Sequence, residues 1–191
     1  MIRETEVKLK LDNIDAKTFI DSCKMIYPEI TMSKSFQRDE YYDTEDFQLR
    51  KNDLVVRVRK KTDATMLAVK SPRVYLSEYV QNRIELEFDI CDSFVIKQLE
   101  SQNLKPVTII EKRRITIKGN YFTIEIDELP YIGPFLEIEA ETIETINDIS
   151  AKLSLDSLQE VKENYGELLE REFAKLGLPT DPVLVATFDR L

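Results

Sequence analysis

The chain has 191 residues, enough for one domain that buries a sizeable core. Its 27 Lys and Arg stand against 36 Asp and Glu, a formal charge of −9, which argues against a general nucleic-acid binder, since that needs a basic face to neutralise phosphates. It contains no histidine, so histidine zinc sites, Ser-His-Asp triads and Cys-His dyads are excluded.

Strand-period patterns dominate the chain. Residues 2–11 alternate, with Val7, Leu9 and Leu11 opposite Glu4, Glu6, Lys8 and Lys10. Asp12-Asn13 offers an N-cap for a helix over about 14–26, and Pro28 follows its end. Residues 36–43 read as a second strand, followed by a turn-rich piece to Asn52-Asp53, where a hairpin turn is expected. Strands are predicted over 54–61 and 64–70, and Ser71-Pro72 stops the second. The clearest alternation lies at 79–90: Gln81, Arg83, Glu85, Glu87 and Asp89 on one face, Ile84, Leu86, Phe88 and Ile90 on the other. Asp92-Ser93 can cap a short helix to about 101. Strands at about 107–117 and 121–127 are joined by the turn Lys118-Gly119-Asn120, and a last strand covers 135–141. Helices are predicted near 143–153 and 162–176, the latter ending at Gly177. No internal repeat, low-complexity segment or linker divides residues 1–191, so a single domain is expected.

Cys23 and Cys91 lie far apart without metal-ligand spacing and read as two buried, reduced thiols of a cytosolic protein. Arg3, Glu4 and Glu6 stand where a signal peptide would need an apolar run, and no stretch is long enough to span a bilayer. A soluble, cytoplasmic protein without membrane partners is the expectation.

About eight strands, mostly antiparallel by their short connections, make a sheet large enough to close. In an ordinary sandwich the apolar face is buried and the charged face meets water. Here strand after strand keeps its charges on one face: Glu4, Glu6 and Lys8; Arg57 and Arg59; Arg83, Glu85 and Glu87; Lys112 and Arg114; Glu137, Glu139 and Glu141. If helices cover the apolar face from outside, a closed sheet leaves the charges lining a wet lumen. The alternation alone also fits an open sheet with a salt-bridged solvent face. Taken singly, each pair is more often structural: Glu-x-Glu is usually a solvated face and Arg-x-Arg its cross-strand partner. Tyr41, Tyr42 and Phe47 are more often packing residues than ligand contacts. Asp127 reads as ending a strand, where turn aspartates are common.

A lumen gathering Lys8, Arg57, Arg59, Lys70, Arg83, Lys112 and Arg114 would be costly without an anion. Polyphosphate suits it, because Arg binds phosphate oxygens bidentately and Lys adds point charge. Glu4, Glu6, Glu137 and Glu139 would repel the same anion unless Mg²⁺ or Mn²⁺ stood between them. Basic residues for phosphate beside acidic residues for metal point to metal-assisted phosphoryl transfer.

The opening Glu4-x-Glu6-x-Lys8 is joined by Gln37-Arg38-Asp39-Glu40-Tyr41-Tyr42-Asp43-Thr44, Leu54-Val55-Val56-Arg57-Val58-Arg59 and Lys70 before Ser71-Pro72. Arg83-Ile84-Glu85-Leu86-Glu87, Lys112-Arg113-Arg114, Asp127 ahead of Gly133-Pro134-Phe135-Leu136-Glu137-Ile138-Glu139, and Tyr165-Gly166-Glu167-Leu168-Leu169 follow in order. With these motifs the chain resembles the CYTH proteins, or triphosphate tunnel metalloenzymes, over nearly its whole length. That family includes class IV adenylyl cyclases, thiamine triphosphatases and inorganic tripolyphosphatases. The resemblance implies an α+β fold: an eight-stranded antiparallel β-barrel, or tunnel, with a charged interior and flanking helices. It also implies roles: Glu4, Glu6, Glu137 and Glu139 as ligands of Mg²⁺ or Mn²⁺, with Asp127 a further acidic contact. Lys8, Arg57, Arg59, Lys70, Lys112 and Arg114 are implied as the triphosphate grip, with Arg83 joining them. Glu85 and Glu87 would orient the basic residues or assist metal and water; no residue is singled out as the base.

Two reactions fit such a tunnel: hydrolysis of a triphosphate, and cyclisation of ATP to cyclic AMP and pyrophosphate. Class IV cyclases place a His-Phe pair shortly before Glu-x-Glu-x-Lys, where this chain has Met1-Ile2-Arg3. Hydrolysis of tripolyphosphate or a small organic triphosphate such as thiamine triphosphate is therefore favoured. A cyclase, a non-catalytic polyphosphate or nucleotide binder, and a merely structural barrel remain as alternatives. Weak homodimerisation through the barrel's outer face is a further open expectation.

Overall fold

The computed structural model describes residues 2–12 and 15–190; the side chains of residues 2–4 and of Asp92 lie outside the described residues. In chain order the elements are β1 (Ile2–Lys10), α1 (Ala16–Ile26), β2 (Thr31–Asp43), α2 (Gln48–Lys51), β3 (Val55–Lys60), β4 (Thr65–Lys70), β5 (Val74–Tyr75) and β6 (Gln81–Asp89). Then come α3 (Asp92–Ser101), β7 (Lys105–Lys118), β8 (Phe122–Leu129), β9 (Gly133–Ala140), α4 (Ile143–Lys152), α5 (Tyr165–Leu176) and β10 (Leu184–Ala186). β1 pairs antiparallel with both β9 and β6, and the path between them runs through β8, β7, β2, β3 and β4. The eight strands close into an antiparallel ring, as expected.

The alternation decides what lies on each side of the ring. Val7 and Leu9 of β1, Ile117 of β7, Ile124 of β8 and Ile138 of β9 are buried with Phe19 and Cys23 of α1 and Ile146 and Ile149 of α4. The main hydrophobic core is thus outside the ring, and each such aliphatic side chain contributes about 1.5–3 kcal/mol by leaving water. The opposite faces of the same strands point inward and carry the charges. On β4 and β6 the outer face is barer, with Val69 and Leu86 each 37% exposed and Phe88 51% exposed.

A second apolar cluster closes one end. Leu168, Leu169 and Phe173 of α5 pack against Ile110, Phe135 and Leu184. Ile110 is in register with Asp39, and Phe135 with Asp127, so both continue the inward face where α5 sits. The helix is defined at both ends, by an Asn164–Glu167 capping box and by Gly177 in the left-handed region at φ 66°.

Several boundaries differ from the sequence expectation. α1 is capped by Asp15, whose carboxylate accepts from the Thr18 amide, rather than by Asp12; Asn13 lies outside the described residues. β2 begins five residues early, at Thr31, because it pairs with the whole of β7. The turn-rich piece after β2 contains α2, with Leu49 and Arg50 amides donating to Asp43. Helix α3 has Cys91 at its N-cap position, with no side-chain cap bond; at that helix start Cys91 is exposed, where a buried thiol was expected, while Cys23 is buried. Strand β8 runs on to Leu129, so Asp127 sits mid-strand and fully buried, not at a turn. Short β5 and the parallel strand β10 on β7 were not foreseen; their two and three residues are too few to show a period. Glu141 falls past the end of β9 and is exposed.

Candidate active site in the strand ring

One wall of the interior is built by β7, β8, β9 and β1 around Arg114. Its Nε donates to Asp127 Oδ1 at 2.5 Å, and Nη2 reaches Asp127 Oδ2 and, at 3.2 Å, Glu137 Oε2. Nη1 pairs with Glu125. Asp127 also accepts from Lys112 Nζ at 2.8 Å and from the Tyr165 hydroxyl at 3.1 Å. These contacts exist because Arg114 is in register with Asp127 across β7–β8, and Glu125 with Glu137 across β8–β9. Burial alone would raise the Asp127 carboxyl, but Arg114 and Lys112 together hold it well below the usual range. Burial and then Arg114 push the Lys112 ammonium down to about 8, with Asp127 only partly opposing them. Glu137 lies 3.3 Å from Lys8; against burial, Lys8 and Arg114 keep Glu137 low, while Glu137 and Glu6 keep Lys8 high. Glu125 behaves differently. Burial outweighs Arg114 and holds its carboxyl above the ordinary value, and Asp127 and Glu137 add repulsion.

The other wall comes from β2, β3, β4 and β6. Arg59 makes a two-pronged contact to Asp39 at 2.7 and 2.8 Å. Despite complete burial, Asp39 is held far below the ordinary carboxylate range by Arg59 and Arg57. Arg57 Nη2 reaches Glu85 at 3.3 Å and Glu87 at 3.1 Å, and Lys70 lies 3.0 Å from Glu85. The Nε of Arg57 is buried without a hydrogen-bond partner among the described residues.

At the helix-closed end, Tyr165 stands under Lys8 and Lys112, whose ammonium groups are 4.6 and 5.4 Å from the ring centre. Burial, then Asp127, keeps its hydroxyl protonated far above the usual phenol value. Arg73 pairs with Asp53 at 2.8 Å and Glu167 at 3.4 Å, and Arg50 with Glu170. These ion pairs tie α5 to the loops around the opening.

The walls enclose a cavity of about 280 Å³. It is lined by Glu6, Lys8, Arg57, Arg59, Lys70, Arg83, Glu85, Glu87, Lys112, Arg114, Glu137 and Glu139, all of them named from sequence. Two named residues stand apart. Asp127 lies beneath the lining, fully buried and surrounded by Arg114, Lys112 and Tyr165. Glu4 is in register with Arg83, but its side chain lies outside the described residues. Arg83 turns partly away, donating from Nε to the Ser71 carbonyl at 2.9 Å. Glu125 was not named from sequence, and Asp39, Tyr41 and Tyr165 were named only within motifs or as packing residues, with no role at the site. Glu125 carries a readable signal, since it shares the inward parity of Asp127; Asp39 and Tyr41 lie on a strand from which no site residue had been singled out. Tyr165 belongs to a motif of the resemblance, but its place at the tunnel is not readable from periodicity, because only packing brings a helix terminus there.

Glu6 and Glu139 stand directly opposite across β1–β9, and both line the cavity. Like charges in register repel, and two carboxylates so placed fit a hard divalent cation such as Mg²⁺ or Mn²⁺. Among the described residues no three acidic side chains are already gathered as a ligand set. Glu137 and Glu125 are instead engaged with Lys8 and Arg114.

Residues 3–171 match the CYTH domain model. A candidate adenylate cyclase of Methanocaldococcus jannaschii is 28% identical over 150 residues, covering 78% of this chain and 81% of that protein. The adenylate cyclase CyaB of Aeromonas hydrophila is 26% identical over 180 residues, covering 88% and 89%. Among solved structures, a candidate adenylate cyclase from Vibrio parahaemolyticus superposes with a TM-score of 0.72 at 18% identity, covering 87% of this chain and 97% of that one. A candidate adenylyl cyclase from Hippeastrum, described as revealing a dominant triphosphatase activity, has a TM-score of 0.63 at 15% identity, covering 95% and 99%.

Proposed function

Because the chain belongs to the CYTH domain family, which its match over residues 3–171 establishes, we propose that its tunnel hydrolyses a triphosphate with the help of Mg²⁺ or Mn²⁺. The substrate class is inorganic tripolyphosphate or a small organic triphosphate. The observation that carries this reading is the cavity within the strand ring, lined by Lys8, Arg57, Lys70 and Lys112 together with the opposed carboxylates Glu6 and Glu139. A polyanion and a cation-binding pair need each other in such a space.

Lys8, Arg57, Lys70 and Lys112 draw the phosphate chain in and fix its orientation. Glu85 and Glu87 hold Arg57 in place, as Asp39 does Arg59. Tyr165 and α5 exclude water from one end. A divalent cation held by Glu6 and Glu139, with Glu4 beside them in sequence, would neutralise phosphate charge and polarise the reacting phosphoryl group. Water adds to the terminal phosphorus, and pyrophosphate or a diphosphate ester leaves as orthophosphate forms. The absence of histidine removes the His-Phe pair of class IV cyclases. The triphosphatase activity described for the Hippeastrum protein supports the same choice. The cytoplasm is the proposed location; no helix among the described residues is long and apolar enough to cross a membrane.

The second reading, cyclisation of ATP, is favoured by the names of the Aeromonas and Methanocaldococcus relatives. ³¹P NMR of the protein with tripolyphosphate and ATP in competition, in Mg²⁺ or Mn²⁺, separates the two. Orthophosphate and pyrophosphate growing from tripolyphosphate, with ATP spared, is the expected result. Pyrophosphate with cyclic AMP from ATP would overturn it in favour of the cyclase, and two intact substrates would leave a binder or an organic triphosphate other than ATP.

A further inference from the structure

We propose that Glu125 is an internal competitor of the substrate: it occupies Arg114 in the resting tunnel and is displaced when the phosphate chain binds. This rests on the triphosphate reading above and adds a residue that the sequence motifs do not assign. Three carboxylates surround Arg114, and they are not equivalent. Asp127 is fully buried and also held by Lys112 and Tyr165, so it cannot leave without dismantling the wall. Glu137 lines the cavity but is anchored a second time by Lys8 at 3.3 Å. Glu125 lines the cavity too, and among the described residues Arg114 is the one cation with which it forms an ion pair. It stands directly across from Glu137, so a like charge pushes it toward Arg114 and offers it no other shelter.

The Nη1 group that Glu125 holds is the part of the Arg114 fork not committed to Asp127 or Glu137. A phosphate chain can recruit Arg114 only at that nitrogen. Its charge repels Glu125 as it takes the same donor, so the carboxylate must swing away along the β8 wall. An anion with few other contacts gains too little elsewhere to force this exchange, whereas a chain that also reaches Lys8, Lys112 and Arg57 can. Glu125 therefore opposes every anion that recruits Arg114, and a chain with several other contacts is the one that can displace it.

Calorimetric titration of tripolyphosphate into the full chain, with metal removed by EDTA, tests this directly. Glu125→Gln keeps the size and removes the charge, and is expected to bind about tenfold more tightly than the wild type. Glu125→Thr, neutral and suited to a strand, serves the same test if the first variant melts early, with thermal unfolding of each variant recorded beside the titration. Orthophosphate, titrated in parallel, should gain no more than tripolyphosphate, because an anion that does not displace Glu125 is not opposed by it. If the wild type binds tripolyphosphate while folded variants bind it equally or more weakly, Glu125 is a structural partner of Arg114 and the competitor role fails alone. If the wild type binds no tripolyphosphate with or without Mg²⁺, the triphosphate reading itself fails and this inference falls with it.

Discussion

On the β7–β9 side of the tunnel every nitrogen of Arg114 faces a carboxylate. On the β3–β6 side Arg57 meets Glu85 and Glu87 through one terminal nitrogen, lies 3.9 Å from Asp39, and keeps a buried Nε without a partner among the described residues. The first wall satisfies its charges when the chain folds. The second leaves hydrogen-bonding capacity buried, which is costly until a ligand supplies an acceptor. The same residue types thus give one side whose arginine is already matched by carboxylates and a receptive side whose Arg57 keeps a buried Nε without a partner among the described residues, because cross-strand register decides which charges meet.

The sharpest way to break the contrast is to attack the prebuilt wall. Asp127→Asn leaves Arg114 and Lys112 short of their shared buried anion, and is expected to cost about 3–5 kcal/mol of stability in urea unfolding. A variant as stable as the parent would show that wall to be no more committed than the other. Next in size is the carboxylate pair. Glu6→Gln should keep the fold and lower turnover at least about a hundredfold at low Mg²⁺, read by orthophosphate release. Near-normal turnover would remove Glu6 from the metal site.

The receptive wall should respond in affinity rather than stability. Arg57→Ala is expected to weaken tripolyphosphate binding by about 1.5–3 kcal/mol, measured by calorimetry, with a smaller change in melting than Asp127→Asn causes. The smallest effect is one of pH. Lys112 loses its proton as pH rises through about 8, below the ordinary 10.5, so anion affinity should fall across that interval. Stability should move the other way between those two values, because the unfolded chain keeps the proton that the folded one has lost. Lys112→Arg, which stays charged, should flatten the affinity profile; an identical profile would assign the titration to another group.

Much of the fold was legible because period-two alternation reports the two faces of a strand whatever lies beyond them. Glu4, Glu6 and Lys8, Arg57 and Arg59, and Lys112 and Arg114 were readable as face-mates for that reason. Asp127 was ambiguous between a turn residue and an acidic contact because strand ends carry weak local signals, and one of its partners in the folded chain, Tyr165, is 38 residues away. Glu125 shares its parity and was passed over because a lone carboxylate two residues from another looks like a solvated face.

Sequence alone determined that charges of both signs keep to one face of successive strands and that apolar residues keep to the other, since that pattern is local and set by backbone pleat. Only tertiary structure decided that the charged face is the inside, that α5 closes one end, and that Arg114 is surrounded while Arg57 retains an open nitrogen. Those outcomes depend on ring closure and on register between strands far apart in the chain, and no local pattern encodes which residues will stand opposite one another.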